Sequence, residues 1–297
     1  MHTVTDQARS AALRTLLRSV GQIVLQPNAF TGACLLAAWL VCDARLACAA
    51  LIGATAANVA AVLAGYDEDD TRAGLHGFNG ALAALAAFVF IADNATAAAV
   101  AILAATGTAW LLAPWSRWLR RRGLSGYSSP CLIVTWLWLP LVNINPARVR
   151  PLHVVTLTPG LDGVFAGLAQ TGFACGAFPG LLVLIGIAAA SRRAAGWALT
   201  GAALASAMHL ALGASPASFD AGLLGFNGAL TALALGRSGW RAVAGGVLLA
   251  VVLQWLAGYS GLPVMTAPFV IATWCVQRAW QSSGHPANAR NKTDSLS

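Results

Sequence analysis

Residues 73–86 read AGLHGFNGALAALA and residues 221–234 read AGLLGFNGALTALA, identical at twelve of fourteen positions at a constant offset of 148. Alanine bias explains some of those matches, but not Gly77-Phe78-Asn79-Gly80 against Gly225-Phe226-Asn227-Gly228. The same offset pairs Gln22 with Gln170, Gly32 with Gly180, Arg45 with Arg193 and Gly53 with Gly201. Further along, an offset of 138 sets Leu124, Ser128 and Pro130 on Leu262, Thr266 and Pro268. The chain is a duplication. Its first copy covers residues 10–142 and its second 160–280, with a seam near Asn143–Pro159 and a polar, flexible tail over 281–297.

Composition sets the solvent. Of 297 residues, 58% are apolar before 30 glycines are counted, and 9% are charged, against roughly 25% in a soluble domain. The mean hydropathy is +0.69. Such a chain cannot cover its surface in water, so it reads as an all-α polytopic membrane protein. The net charge of +8 comes from arginines at segment ends, which suits membrane topology rather than nucleic acid. The six cysteines form no C-x-x-C pair or cluster with histidine, so no metal site, cofactor or disulfide framework is expected. The N-terminus is too polar and arginine-rich for a cleaved signal peptide.

The first copy holds apolar stretches at about 10–25, 30–42, 45–64, 74–92, 95–113 and 127–142. A span takes about 20 helical residues, and Gly-Phe-Asn-Gly interrupts the fourth stretch. Broken backbone at membrane depth is tolerated only where protein buries it or a polar cavity solvates it. That stretch is therefore expected to be a re-entrant half-helix, leaving five crossings per copy. An odd number makes the second copy enter from the opposite face, giving an inverted repeat of two five-helix halves around a central pore. With the N-terminus inside, thirteen basic residues, Arg45 and Arg117–Arg122 among them, fall inside. Five, including Arg72, Arg192 and Arg193, fall outside with the acidic Asp67-Glu68-Asp69-Asp70. That bias favours cytoplasmic termini.

All ten carboxylates fall in termini, turns or loops, except Asp162 at the start of a span. Nothing is placed to couple a proton or bind sodium at mid-membrane. The polar groups inside apolar stretches are neutral and paired by the repeat: Gln22 with Gln170, Asn79 with Asn227, Ser128 with Thr266. Amides and hydroxyls without charge suit a small neutral polar solute. Asn79 and Asn227 also suit a structural part, satisfying free backbone groups at half-helix ends. Phe78 and Phe226 fit either core packing or opposed positions across a pore. His76 and His209 have Leu224 and Ala61 as counterparts, so neither is duplicated, and a peripheral role is expected. No nucleophile elbow, phosphate loop or zinc motif appears, and an enzyme is not expected.

At these residues the chain resembles the urea transporter family over about 20–142 and 165–277. Gly261-Leu262-Pro263-Val264-Met265-Thr266-Ala267-Pro268-Phe269 is similar to the family's L-P-x-x-T-x-P-F signature, and both G-F-N-G segments match as well. The first copy departs from the signature, with Ser125, Ser128 and Cys131 for its proline, threonine and phenylalanine. The resemblance implies a homotrimer in the plasma membrane or bacterial inner membrane, each protomer with its own pore for passive diffusion of urea. Ammonia, water or short amides are the alternative cargo. It implies that Phe78 with Leu82, and Phe226 with Leu230, form a flat slot for the urea plane. Ser128 and Thr266 would join ladders of acceptors, with Gln22 and Gln170 beside the path and Pro268 at a half-helix. Ile23, Leu25, Thr171 and Phe173 would line the vestibules. Half-helix C-terminal ends, with free carbonyls, are the expected acceptors.

Overall fold

The computed structural model describes residues 2–142, 160–260 and 263–282, with side chains from Arg9 onward. The seam, Gly261-Leu262 of the signature and the tail beyond Ser282 lie outside the described residues. Every regular element among those described is a helix. The first copy runs α1 (His2–Gly21), α2 (Ala29–Cys42), α3 (Ala44–Leu63), α4 (Glu68–Arg72), α5 (Gly77–Phe90), α6 (Asn94–Arg120) and α7 (Ser129–Trp138). The second runs α8 (Asp162–Gln170), α9 (Ala177–Ala190), α10 (Arg192–Ala211), α11 (Pro216–Asp220), α12 (Phe226–Leu235), α13 (Trp240–Ala257) and α14 (Ala267–Ser282).

The repeat in sequence returns as a repeat in packing, because glycines stand where two backbones meet. A Cβ on Gly53 would strike the Gly80 carbonyl and the Ala84 methyl; one on Gly201 would strike the Gly228 carbonyl and the Ala232 methyl. Likewise Gly32 lies on the Leu17 carbonyl and Gly180 on that of Phe165, again 148 residues apart. Close approach of this kind replaces the hydrophobic drive that is missing between helices in lipid. One extended residue, Asp43 in the first copy and Ser191 in the second, turns α2 into α3 and α9 into α10, and its side chain caps the new helix. Asp93 caps α6 through Thr96 N at 2.7 Å, which holds its carboxyl below the ordinary range. Outward residues such as Leu63, Leu103 and Trp110 are exposed and apolar, as a lipid-facing surface requires.

The copies touch chiefly through α2 and α9. Thr31 Oγ1 donates to Gly186 O at 2.7 Å near the start of α2, and Trp39 Nε1 donates to Gly172 O at 2.7 Å further on. Cys175 N donates to Cys42 Sγ at the end of α2, at 3.1 Å. Advancing along α2 thus means moving back along the second copy, so α2 and α9 are antiparallel.

Two sequence expectations change here. The GFNG helix does not turn back to the face it came from. Gly77 lies against Ser19 and Asn58, and α5 then runs down α3 until Arg45 Nε reaches Asn94 Oδ1 at 2.7 Å. It therefore joins opposite ends of α3. Conversely α1 and α2, expected as two crossings, form one apolar pair bent by 76°. Among the described residues three helices are long and apolar enough to span on their own: α3, α6 and α13. At about 1.5 Å per residue, α7 is as incomplete a span as α5.

This rearranges the ends. Since α3 and α6 start together beside Arg45, their far ends share the other face, where Asp67, Asp70, Arg117 and Arg120 line one cavity. Arg18 reaches Arg72 O, Arg278 reaches Arg122 O and Arg193 reaches Gly236 O, at 3.3–3.4 Å. The antiparallel α13–α14 pair then brings Arg237 and Arg241 to that end too. The expected grouping of Arg45 with Arg117–Arg122, opposite Arg72, Arg192 and Arg193, is therefore incorrect. Hydropathy alone cannot tell a short crossing from a re-entrant one. We predict that Gly53→Ala lowers thermal stability in detergent by about 1–3 kcal/mol through backbone clash. Gly196→Ala, with open space around it, leaves the unfolding midpoint unchanged or slightly higher.

Candidate functional site

Helices that stop inside an apolar slab leave their first N–H groups unpaired. Here α5, α7, α12 and α14 all begin at one place, and two asparagines answer that need. Asn79 Nδ2 donates to Tyr127 O at 3.2 Å, and Asn79 Oδ1 accepts Cys131 N at 3.1 Å. Asn227 Nδ2 donates to Met265 O at 3.1 Å, and Asn227 Oδ1 accepts Phe269 N at 3.3 Å. Each asparagine on one short helix thus clamps the turn that starts another. Those turns hold Tyr127 and Met265 at φ 46°, a left-handed conformation costly for residues other than glycine. The other non-glycine residues at positive φ among those described are Leu25 and Phe173, also repeat-related.

Between the clamped turns, Ser128 Oγ and Thr266 Oγ1 lie 2.8 Å apart, both buried. From here α7 runs back along α6, with Trp115 Nε1 on Ser129 Oγ, toward the Arg45 end. By contrast α14 runs to Arg122. The hydroxyl pair is therefore the point where the two copies meet head to head. One proton is spent between the hydroxyls, leaving one donor and several lone pairs.

Gln22 and Gln170 repeat their partners as well: Gln22 Nε2 donates to Ala73 O at 3.5 Å and Gln170 Nε2 to Ala221 O at 3.2 Å. From the arginine-rich end a cavity of about 530 Å³ leads inward past Gln22, Leu25 and His76 to Phe78 and Tyr127, next to Ser128. Leu82 lies one turn beyond Phe78 in the same core cluster. Leu230, one turn beyond the half-buried Phe226, packs with Leu132 and Phe269, and Leu25 and Met265 close on that cluster. Pro268 and Pro130 each stand in the first turn of their helix, where a missing N–H costs nothing.

The expected vestibule set divides. Leu25 lines the cavity, and Phe173 holds the repeat-related left-handed position. Ile23 is buried in the core, and Thr171 turns its hydroxyl to Leu168 O at 2.7 Å. The expectation that helix C-termini supply the acceptors is overturned: it is N-termini that converge, so the helix dipoles present their positive ends. Sequence reading missed Gln254, whose Oε1 accepts Asn227 Nδ2 at 2.9 Å while its Nε2 donates to Leu223 O at 2.8 Å. Its signal was an amide inside the apolar α13. Asn79→Ala would strip partners from Tyr127 O and Cys131 N, and thermal unfolding in detergent should show a loss of about 2–4 kcal/mol. Asn227→Ala should lose more, since Gln254 is stranded with it.

These paired amides and hydroxyls, enclosed by apolar helices, are equipped for a neutral polar solute. No curated protein matches the chain. The family model described as urea transporter matches residues 13–281, nearly the whole chain. The protein belongs to the urea transporter family, as a multi-pass membrane protein that transports urea and is not an enzyme.

Proposed function

We propose that the protein is a passive channel for facilitated diffusion of urea. Residues 10–142 and 160–280 form an inverted repeat around the path. Three copies assemble, each with its own pore, in the bacterial inner membrane with both termini cytoplasmic. The observation that carries this reading is the buried, uncharged Ser128–Thr266 pair at the head-to-head meeting of the copies. The antiparallel α2 and α9 support the inversion. One bent crossing through α1–α2 and one through α5 keep five crossings per copy.

Urea enters from the arginine-rich end past Gln22 and Leu25, meets Phe78 and Leu82, passes Ser128 and Thr266, and leaves by Phe226 and Leu230 beside Gln170 and Phe173. It is planar and neutral, with four N–H donors and one strong acceptor. Apolar faces select the flat shape, and hydroxyl and carbonyl oxygens replace water at its edges. A donor left unsatisfied costs about 1–3 kcal/mol, so acceptor placement sets the barrier. Opening the Ser128–Thr266 bond costs about 1 kcal/mol net, which one urea bond regains. Among the described residues no buried side chain is a carboxylate, lysine or arginine, and Asp67 and Asp70 stand exposed at the cavity mouth, so no acid at mid-membrane couples transport to a proton or sodium. The converging positive helix ends oppose cations, ammonium included. Basic loops stay in the cytoplasm, which puts the arginine-rich end inside and Arg45 outside.

Thr266→Val keeps the volume and removes the acceptor. Stopped-flow light scattering of proteoliposomes under a urea gradient should show flux falling about tenfold, the kinetic weight of one hydrogen bond; an unchanged rate rejects the hydroxyl path. Parent flux should ignore a protonophore, and ammonia permeation without urea would reject urea as the cargo. In a cysteine-free background, an impermeant maleimide on intact cells should label Arg45→Cys and spare Arg122→Cys; the reverse pattern would overturn the orientation.

A further inference from the structure

His76 has leucine as its repeat counterpart, yet it stands in the cavity wall with Gln22 and Phe78. Its surroundings favour one ring tautomer. Thr71 Oγ1 reaches Asp67 O at 2.9 Å and His76 Nδ1 at 3.0 Å. Both contacts are hydrogen bonds at once when the hydroxyl donates to the carbonyl and accepts from Nδ1–H, the arrangement with Nδ1 as the N–H nitrogen. Tyr66 stacks on the imidazole at 5.5 Å and anchors its own hydroxyl on Trp110 O, which fixes the ring plane. Neutral imidazole with Nδ1 protonated carries its lone pair on Nε2, and no partner of Nε2 is seen among the described residues.

We infer that His76 is a urea-binding residue of the cytoplasmic mouth, its Nε2 accepting an N–H of urea just before the Phe78 constriction. This rests on the urea-channel reading and makes the two mouths unlike, because Leu224 offers no acceptor at the other. Acid reverses the contact: imidazolium donates from both nitrogens, and a urea N–H finds no lone pair there. The charged and titratable groups around the ring are Tyr66, Asp67 and Asp70 on its own side, with Arg117, Arg120 and Tyr127 across the cavity. Arg18 of α1 is held on Arg72 O nearby, and α3 offers only the neutral Asn58.

The test is urea flux in proteoliposomes at pH 8 and pH 5, with the internal and external buffers matched. Burial holds the His76 pKa below the ordinary imidazole range, against the opposing pull of Asp70 and Asp67. Parent flux should therefore fall about fivefold between the two pH values, with its midpoint on the acid side of that range. His76→Leu, which copies the other mouth, should be about fivefold slower at pH 8 and flat with pH. His76→Gln restores a carbonyl acceptor that does not titrate, so it should be faster than His76→Leu and equally flat. Should His76→Leu fail to fold, the profile of His76→Gln decides alone. Equal parent flux at both pH values, or the parent's pH ratio persisting in the variants, overturns the assignment. Absence of urea flux in the parent at either pH strikes instead at the channel reading.

Discussion

Backbone amide groups inside a bilayer have no water to turn to, and every feature of the meeting point follows from that constraint. Four helices begin there, so a crowd of N–H groups would be stranded in apolar surroundings. Asn79 and Asn227 resolve the problem with one side chain per copy, each accepting an N–H from the opposing helix and donating to the turn before it. The turn must then bend sharply enough to bring its carbonyl within reach, which places Tyr127 and Met265 in left-handed conformations. The bend in turn leaves the next residue, Ser128 or Thr266, on the line between the copies. The hydroxyl pair is thus a consequence of closing the backbone account.

The same geometry bears on what the proposed channel would pass. On the proposed channel reading, helix N-termini aimed at the meeting point oppose cations. They favour an anion in part, but the Cys131 and Phe269 N–H groups are taken by Asn79 and Asn227, and no cationic side chain is buried among the described residues to replace its lost hydration. A neutral amide has no such penalty and needs only local acceptors. On that reading, selection against cations falls to the helix ends, and selection among neutral solutes to individual oxygens and the apolar faces beside them.

Much of this was legible in the residues. The offset of 148 foretold that Gln22 and Gln170 would hold equivalent contacts, and they bond Ala73 O and Ala221 O, themselves at that offset. It also marked the glycines at the backbone crossings. Direction was not legible. Apolar stretches report burial in lipid but carry no sign, so α5 read as re-entrant where it joins opposite ends of α3, and helix C-termini were expected where N-termini stand. Symmetry was a partial guide as well: His76 has Leu224 as its counterpart, yet it lines the cavity beside Gln22 and Phe78, with its ring held by Thr71 and Tyr66. Gln254 was passed over for the same reason, an amide outside the duplicated motifs.

The sidedness of the arginines shows how local and global demands coincide. A guanidinium in a membrane protein must reach water or a carbonyl, and the last carbonyls of helices and turns are unpaired acceptors with negative dipole character. Arg18, Arg193 and Arg278 each take such a carbonyl, and Arg122 takes Trp118 O while its guanidinium lies 3.7 Å over the Trp118 ring. Each contact stabilises one chain ending, and all of them fall on the same face. That face is therefore fixed twice, by the terminations these arginines cap and by the charge asymmetry that insertion reads. Moving one arginine to the Arg45 end would weaken both, and Arg192 and Arg193, expected on the other side, belong with this face because α10 starts beside Gly236.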